Sequence, residues 1–125
     1  EMTTKLTGRK LDILVNNVYF YPAYVTTATD YMRVKVLFDT NLFGVMRMVE
    51  IFVNLLIASG NGHILQIGSI VAVIPLLFSS MYNTSKAALL AYSNTLSVEL
   101  MPFKYMVLEW FLMLYFLIGF LLASK

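Results

Sequence analysis

The chain has 125 residues, 59% of them hydrophobic and 13% charged, which excludes intrinsic disorder over most of its length and fits one ordinary domain. It has no cysteine and a single histidine, His63. Disulfides, thiolate nucleophiles, cysteine-based or multi-histidine metal sites and a cysteine–histidine relay are therefore all excluded. Nine basic residues against seven acidic ones give a net charge of +2, scattered along the chain rather than gathered into a stripe, so there is no electrostatic footprint for nucleic acid. Any chemistry falls to hydroxyls, amides, carboxylates and lysines.

Glu1 to Lys10 is polar, carries Gly8 and lacks the apolar run and cleavage site of a signal peptide; the initial Glu in place of Met reads as a fragment. Leu11 to Val15 is a short apolar run closed by Asn16 and Asn17, which predicts a buried strand ending in a polar turn. From Thr29 to Ser59 apolar residues return at helical spacing, among them Val34, Leu37, Phe38, Leu42, Val45, Val49 and Phe52. This predicts one long helix or two abutting ones with Asp30 as N-cap. Gly60-Asn61-Gly62 stops that helix, and His63 to Ile67 is a second short strand ended by Gly68-Ser69.

An apolar loop over Ile70 to Phe78, with Pro75 in it, leads to a helix from Ser80 to Leu100. Ala87, Leu90, Ala91 and Leu96 are expected on its apolar side, with Lys86, Ser93, Asn94 and Ser97 as polar ground, Ser93 and Asn94 toward solvent. Pro102 ends the helix, and Tyr105 to Glu109 begins a third strand. Strand, helix, strand, helix, strand is the order of a parallel α/β architecture. The eight methionines are expected to fill core gaps, and His63 to be a surface side chain.

The C-terminus admits two readings. Tyr105 to Ala123 is nineteen residues with one charge, Glu109, flanked by Lys104 and Lys125; as a helix it would span about 28 Å against a hydrocarbon thickness of ~30 Å. Alternatively Tyr105 to Glu109 is a core strand, and the 14 residues from Trp110 to Ala123 form an apolar tail too short to cross unaided. The corresponding division is a domain over 1–109 and a tail over 110–125.

Tyr82 and Lys86 lie four apart at the start of the last helix, one turn apart on one face. An ammonium beside a phenol favours the phenolate and makes the tyrosine usable as an acid or base. Ser69 ends the preceding strand and Asn41 sits inside the earlier helix. The carboxyl ends of parallel strands are where ligands bind.

On these residues the chain resembles the second half of a short-chain dehydrogenase/reductase. Leu11-Asp12-Ile13-Leu14-Val15-Asn16-Asn17 resembles the family's fourth strand with its Asn-Asn-Ala-Gly motif, and Asn41-Leu42-Phe43-Gly44 the helix bearing the catalytic asparagine. Ile67-Gly68-Ser69 resembles the strand that delivers the serine, and Tyr82-Asn83-Thr84-Ser85-Lys86 the Tyr-x-x-x-Lys helix. The match runs from about Leu11 to Val107. It implies an α/β fold: part of a Rossmann-like, doubly wound parallel sheet of about three strands with long helices, without the glycine-rich N-terminal half.

The resemblance also implies roles. Tyr82 passes a proton to a carbonyl oxygen as hydride arrives from a nicotinamide, and Ser69 hydrogen-bonds the same oxygen. Lys86 assists Tyr82 and grips the nicotinamide ribose, Asn41 holds a water behind Lys86, and Asn16 flanks the cofactor pocket. No metal is implied. A finer resemblance, carried by Val45-Met46-Arg47-Met48, Gln66-Ile67-Gly68-Ser69 and the run from Ala91 through Glu99-Leu100-Met101-Pro102-Phe103, is to the fungal 1-acyldihydroxyacetone-phosphate reductases. Retinol and 17β-hydroxysteroid dehydrogenases share the Glu-Leu-x-Pro-Phe turn. The fungal group implies NADP rather than NAD, a lipid-like carbonyl substrate, and a cytoplasmic site or one at the endoplasmic reticulum membrane or lipid droplet surface. The family implies a homodimer through the helices around Phe43 to Ile57 and Ala87 to Leu96.

The sequence departs from the family in three places. A complete sheet of this kind needs well over ~150 residues, and the glycine-rich turn that holds the cofactor pyrophosphate is not in the chain, which puts cofactor binding and turnover by the chain alone in doubt. Val18-Tyr19 stands where the family has Ala-Gly, and Leu112-Met113 where a Pro-Gly or Thr-Gly turn is expected. Three readings follow: an oxidoreductase, a non-catalytic family remnant that binds a homologue, or a small membrane-associated protein dominated by its tail.

Overall fold

The computed structural model describes residues 8–20, 30–103 and 106–111. Strand β1 is Ile13–Asn16. A continuous helical run follows as α1 (Tyr31–Phe38), a π-helical stretch (Asp39–Phe43) and α2 (Gly44–Ser59). Strand β2 is His63–Gly68, a 3₁₀ turn covers Ile70–Ala72, α3 is Ser80–Leu100, a second 3₁₀ turn is Met101–Phe103, and β3 is Met106–Phe111. The strands form one parallel sheet in the order β1-β2-β3, the α/β arrangement with long crossover helices that the element order implies.

Local chemistry explains the boundaries. The Asp30 carboxylate accepts from the Met32 N–H and caps α1, satisfying a donor that has no partner inside the helix. Gly60 takes φ 78° at the end of α2, a left-handed conformation that glycine adopts without a Cβ clash. The chain then turns directly into β2, whose His63 N–H donates to the Asp12 carbonyl at 2.8 Å.

One face of the sheet carries the core. Leu14 of β1 and Ile64 of β2 pack with Val49 and Leu56 of α2 and Leu96 and Leu100 of α3, each side chain contributing roughly 1.5–3 kcal/mol on full burial. Ile13 and Val15, pointing the other way, are 58% and 52% exposed, as the two-residue period of a strand requires when helices cover one side. Tyr31–Ser59 is long and apolar enough to span a membrane by length and composition; Leu37, Val45, Val49 and Leu56 along it are buried in the protein.

Four expectations change. Met106–Phe111 is a strand paired with β2, so Tyr105 to Ala123 is not one helix, and β3 continues two residues past Glu109; residues 112–125 lie outside the described part, with the Leu112-Met113 position. Ser93 is buried and donates its hydroxyl to the Leu89 carbonyl, while Ala91 is exposed. A serine bonded to its own helix can be buried cheaply. Met32, Met46, Met48 and Met101 are exposed rather than core fillers. His63 is half-buried as the first residue of β2.

Candidate active site

The carboxyl end of β2 delivers Ser69. Directly after the strand Ser69 stays extended, and its hydroxyl oxygen accepts from the Val71 N–H at 3.4 Å, capping the 3₁₀ turn Ile70–Ala72. An oxygen used as acceptor keeps its O–H hydrogen for donation. The side chain is buried.

Helix α3 places Tyr82, Ser85, Lys86 and Leu89 on its buried side, positions separated by three and four residues and therefore on one stripe. Lys86 is only 2% exposed. Its Nζ donates to the Ile67 carbonyl at 3.0 Å and to the Val18 carbonyl at 3.4 Å. A buried ammonium needs such acceptors, and here they tie α3 to the ends of both β1 and β2. Ser85 donates to the Tyr82 carbonyl at 2.8 Å.

Asn41 lies in the middle of the π-helical stretch and is fully buried. Its Oδ1 accepts from the Phe20 N–H at 3.0 Å, and its Nδ2 donates to the Phe20 carbonyl at 3.0 Å and to Ser85 Oγ at 3.3 Å. The wider turn holds this side chain against α3, in keeping with the frequency of π-bulges at functional sites. Gly44 belongs to the same device: its N–H donates to the Asp39 carbonyl, and a Cβ there would stand 3.1 Å from that oxygen.

Asn16, at the end of β1, is buried, and its Nδ2 has no hydrogen-bond partner. Beside it in register is Gln66 of β2, also buried, with both amide atoms unpartnered. Tyr19 sets its ring against Tyr82, centroids 5.9 Å apart and planes at 75°. A shallow hollow of about 270 Å³ lies between the 3₁₀ segment and the outer side of α3, lined by Val71, Val73, Pro75, Asn83, Thr84 and Ala87; none of the polar residues above lines it, so it is not where they converge.

Comparison with known proteins shows the family and the fold. The short chain dehydrogenase family model matches residues 2–108. The chain belongs to the short-chain dehydrogenase family. It is 48% identical over 105 residues to the short-chain dehydrogenase srdE of Neurospora crassa, covering 84% of this chain and 36% of that protein. It is 41% identical over 99 residues to the NADPH-dependent 1-acyldihydroxyacetone phosphate reductase of Schizosaccharomyces pombe, covering 79% and 33%. A crystal structure of a short-chain dehydrogenase from Streptomyces avermitilis superposes with a TM-score of 0.79 at 26% identity, over 86% of this chain and 40% of that one. The chain thus spans about a third of the length of the curated relatives it matches.

All the residues that the family resemblance points to lie at the carboxyl end of the sheet or on the helix faces beside it. Lys86 is joined to the β1 and β2 ends, and Asn41 to α3 through Ser85. Ser69 begins the 3₁₀ turn that packs on α3. Sequence reasoning missed Ser85, although it falls on the Tyr82–Lys86 stripe at helical spacing. It also missed the clamp on Phe20, for which the sequence carries no signal. For the nicotinamide cofactor of the family, the Lys86 ammonium and the orphaned Asn16 amide are buried donors of the kind that hold ribose hydroxyls, so the residues at this end fit it. Among the described residues no group of acidic or histidine side chains is placed to hold a metal.

Proposed function

We propose that this chain supplies the carbonyl end of an NAD(P)H-dependent reductase, with Tyr82 as proton donor, Ser69 as donor to the same oxygen, and Lys86 and Asn41 as the residues that hold them. The observation that carries this reading is the buried Lys86 ammonium, bonded to strand-end carbonyls one turn along the helix from Tyr82. The bound nicotinamide would supply hydride. Lys86 and Asn16 would hold its ribose. Positive charge at Lys86 favours the negative charge that develops on the phenol oxygen as its proton leaves, and Ser69 stabilises the oxygen that receives it. Asn41 fixes Ser85 and the loop after β1, so that neither drifts during the reaction.

The finer assignment follows the relatives. NADP and a lipid-like substrate such as an acylated dihydroxyacetone phosphate are supported by the Schizosaccharomyces reductase, and location at the endoplasmic reticulum or lipid droplet surface goes with that substrate. The exposed Phe43, Met46, Ile51 and Ile57 on and just before α2 support pairing of two copies through this helix. The glycine-rich turn is not in the 125 residues, so turnover is expected only together with that element. The test joins the N-terminal part of the Neurospora relative to this chain from Leu11 onward and follows NADPH consumption with a panel of ketones and aldehydes. The fusion should turn over, the chain alone should not, and Tyr82→Phe should reduce kcat by at least 100-fold. A fusion that folds but is inactive, beside an active control carrying the relative's own catalytic half, refutes the reading.

A further inference from the structure

We propose that residues 73–78 form a lipid-docking surface, which seats this chain on a zwitterionic phospholipid bilayer. Val73, Ile74, Leu76, Leu77 and Phe78 are all exposed, Leu77 at 74%, and so is Pro75 between them. Several other exposed apolar side chains stand beside charges: Met46 and Met48 flank Arg47, Ile51 follows Glu50 and Val98 precedes Glu99. Here no residue between His63 and Lys86 is charged, and residues 70–78 carry no side-chain hydrogen-bonding group. A contiguous exposed apolar surface of this kind marks a contact with another molecule or with a membrane.

The backbone of the segment suits an apolar medium, where polar groups must find their partners within the protein. The Val73 and Ile74 N–H groups both donate to the Ile70 carbonyl at 2.9 Å, and Pro75 has no N–H. The Asn83 amide bonds the Leu76 backbone, and the Ser79 hydroxyl donates to the Leu77 carbonyl at 3.0 Å. Phe78 takes φ 57°, a left-handed conformation that costs a bulky residue energy. Its side chain is nevertheless exposed, so burial within the chain does not repay that cost.

The chemistry favours lipid over a protein partner. A protein interface surrounds its apolar centre with a polar rim and forms hydrogen bonds across it, and residues 70–78 have no side-chain donor or acceptor for this. A bilayer's acyl boundary asks for none. Attraction to anionic lipid comes from lysine and arginine, which the segment lacks, so the match in charge is to a zwitterionic surface. The segment also joins Ser69 to α3, which carries Tyr82, so docking brings both residues to the lipid surface. The inference stands apart from the reductase reading, because vesicle binding is measured without cofactor or turnover.

The chain has no cysteine, so Leu77→Cys and Val98→Cys can each carry a single environment-sensitive fluorophore on the full 125-residue chain. With phosphatidylcholine vesicles, the label at 77 should shift to the blue and be quenched by nitroxide-bearing lipid. The label at 98, toward the far end of α3 and also exposed, should not respond. In sedimentation with the same vesicles, the double variant Leu77→Ser, Phe78→Asn should lower partitioning roughly 10-fold or more, the factor for losing burial of a large apolar side chain. Circular dichroism checks that it stays folded, and about 0.5 M salt should leave binding of the unaltered chain intact. Absence of binding, loss of binding in salt, or equal responses at 77 and 98 would overturn the proposal. So would a folded double variant that binds as before, which would move the contact to another segment such as residues 112–125. A label at 77 that responds to protein concentration rather than to lipid would make this surface a contact between copies, and would overturn it too.

Discussion

Replacing Asn41 by alanine tests the central joint of the site. The substitution removes three hydrogen bonds at once: one accepted from the Phe20 N–H, one donated to the Phe20 carbonyl, and one donated to Ser85 Oγ. A typical bond of this kind contributes about 0.5–1.5 kcal/mol net. Phe20 is only half-buried, so water can partly replace the two backbone bonds, and the expected loss is about 2–3 kcal/mol, a roughly 30- to 150-fold fall in the folding constant. Urea unfolding followed by circular dichroism measures it as a lower midpoint with unchanged slope. Hydrogen exchange at the Phe20 amide should accelerate at the same time, because its acceptor is gone. Asn41→Asp should be no better than alanine, since a carboxylate oxygen would face the Phe20 carbonyl and a charge would be buried. A loss below ~0.5 kcal/mol, or an unchanged Phe20 amide, would show that the clamp on the β1 loop contributes nothing to the fold.

Two further predictions concern buried polar groups. Gln66 has neither amide atom paired, and such atoms cost ~1–3 kcal/mol each; Gln66→Met, similar in length, should stabilise the chain by about 1–2 kcal/mol in the same unfolding assay, and a destabilised variant would show that the amide is bonded after all. The Tyr92 phenol titrates above its ordinary 10.0, first because it is partly buried and then because Glu99 and Glu50 repel the phenolate. A raised value in the folded state means that the stability from the neutral phenol is complete below about pH 10 and is lost as pH climbs from there through the folded value. Tyr92→Phe should therefore flatten the alkaline limb of a stability–pH profile while leaving it unchanged at neutral pH, and an identical alkaline limb in both proteins would contradict this.

Much of the fold is legible because its signals are local. The helix over Ser80–Leu100, the Asp30 cap and the Gly60 stop depend on residues a few positions apart, so spacing, capping chemistry and tolerance of positive φ suffice to place them. The burial of polar residues is not local. Ser93 looked solvent-facing because its hydroxyl is polar, yet it is satisfied within its own helix, and pattern alone cannot separate a polar residue that needs water from one that does not. Met32, Met46, Met48 and Met101 are exposed instead of filling the core for the converse reason, since hydrophobicity does not say which face of a helix the sheet covers.

The site divides in the same way. By itself the sequence determined which residue types are present, their order, and that Tyr82 and Lys86 share a helix face, because helical geometry fixes neighbours three and four residues apart. Only the tertiary structure decided what those residues touch. The Lys86 bonds to Val18 and Ile67, the Asn41 clamp on Phe20 and the contact of Tyr19 with Tyr82 join segments 19 to 68 residues apart. Contacts at that distance along the chain exist only once three parallel strands are in register and the helices have crossed over them, and nothing in the spacing of residues encodes that register.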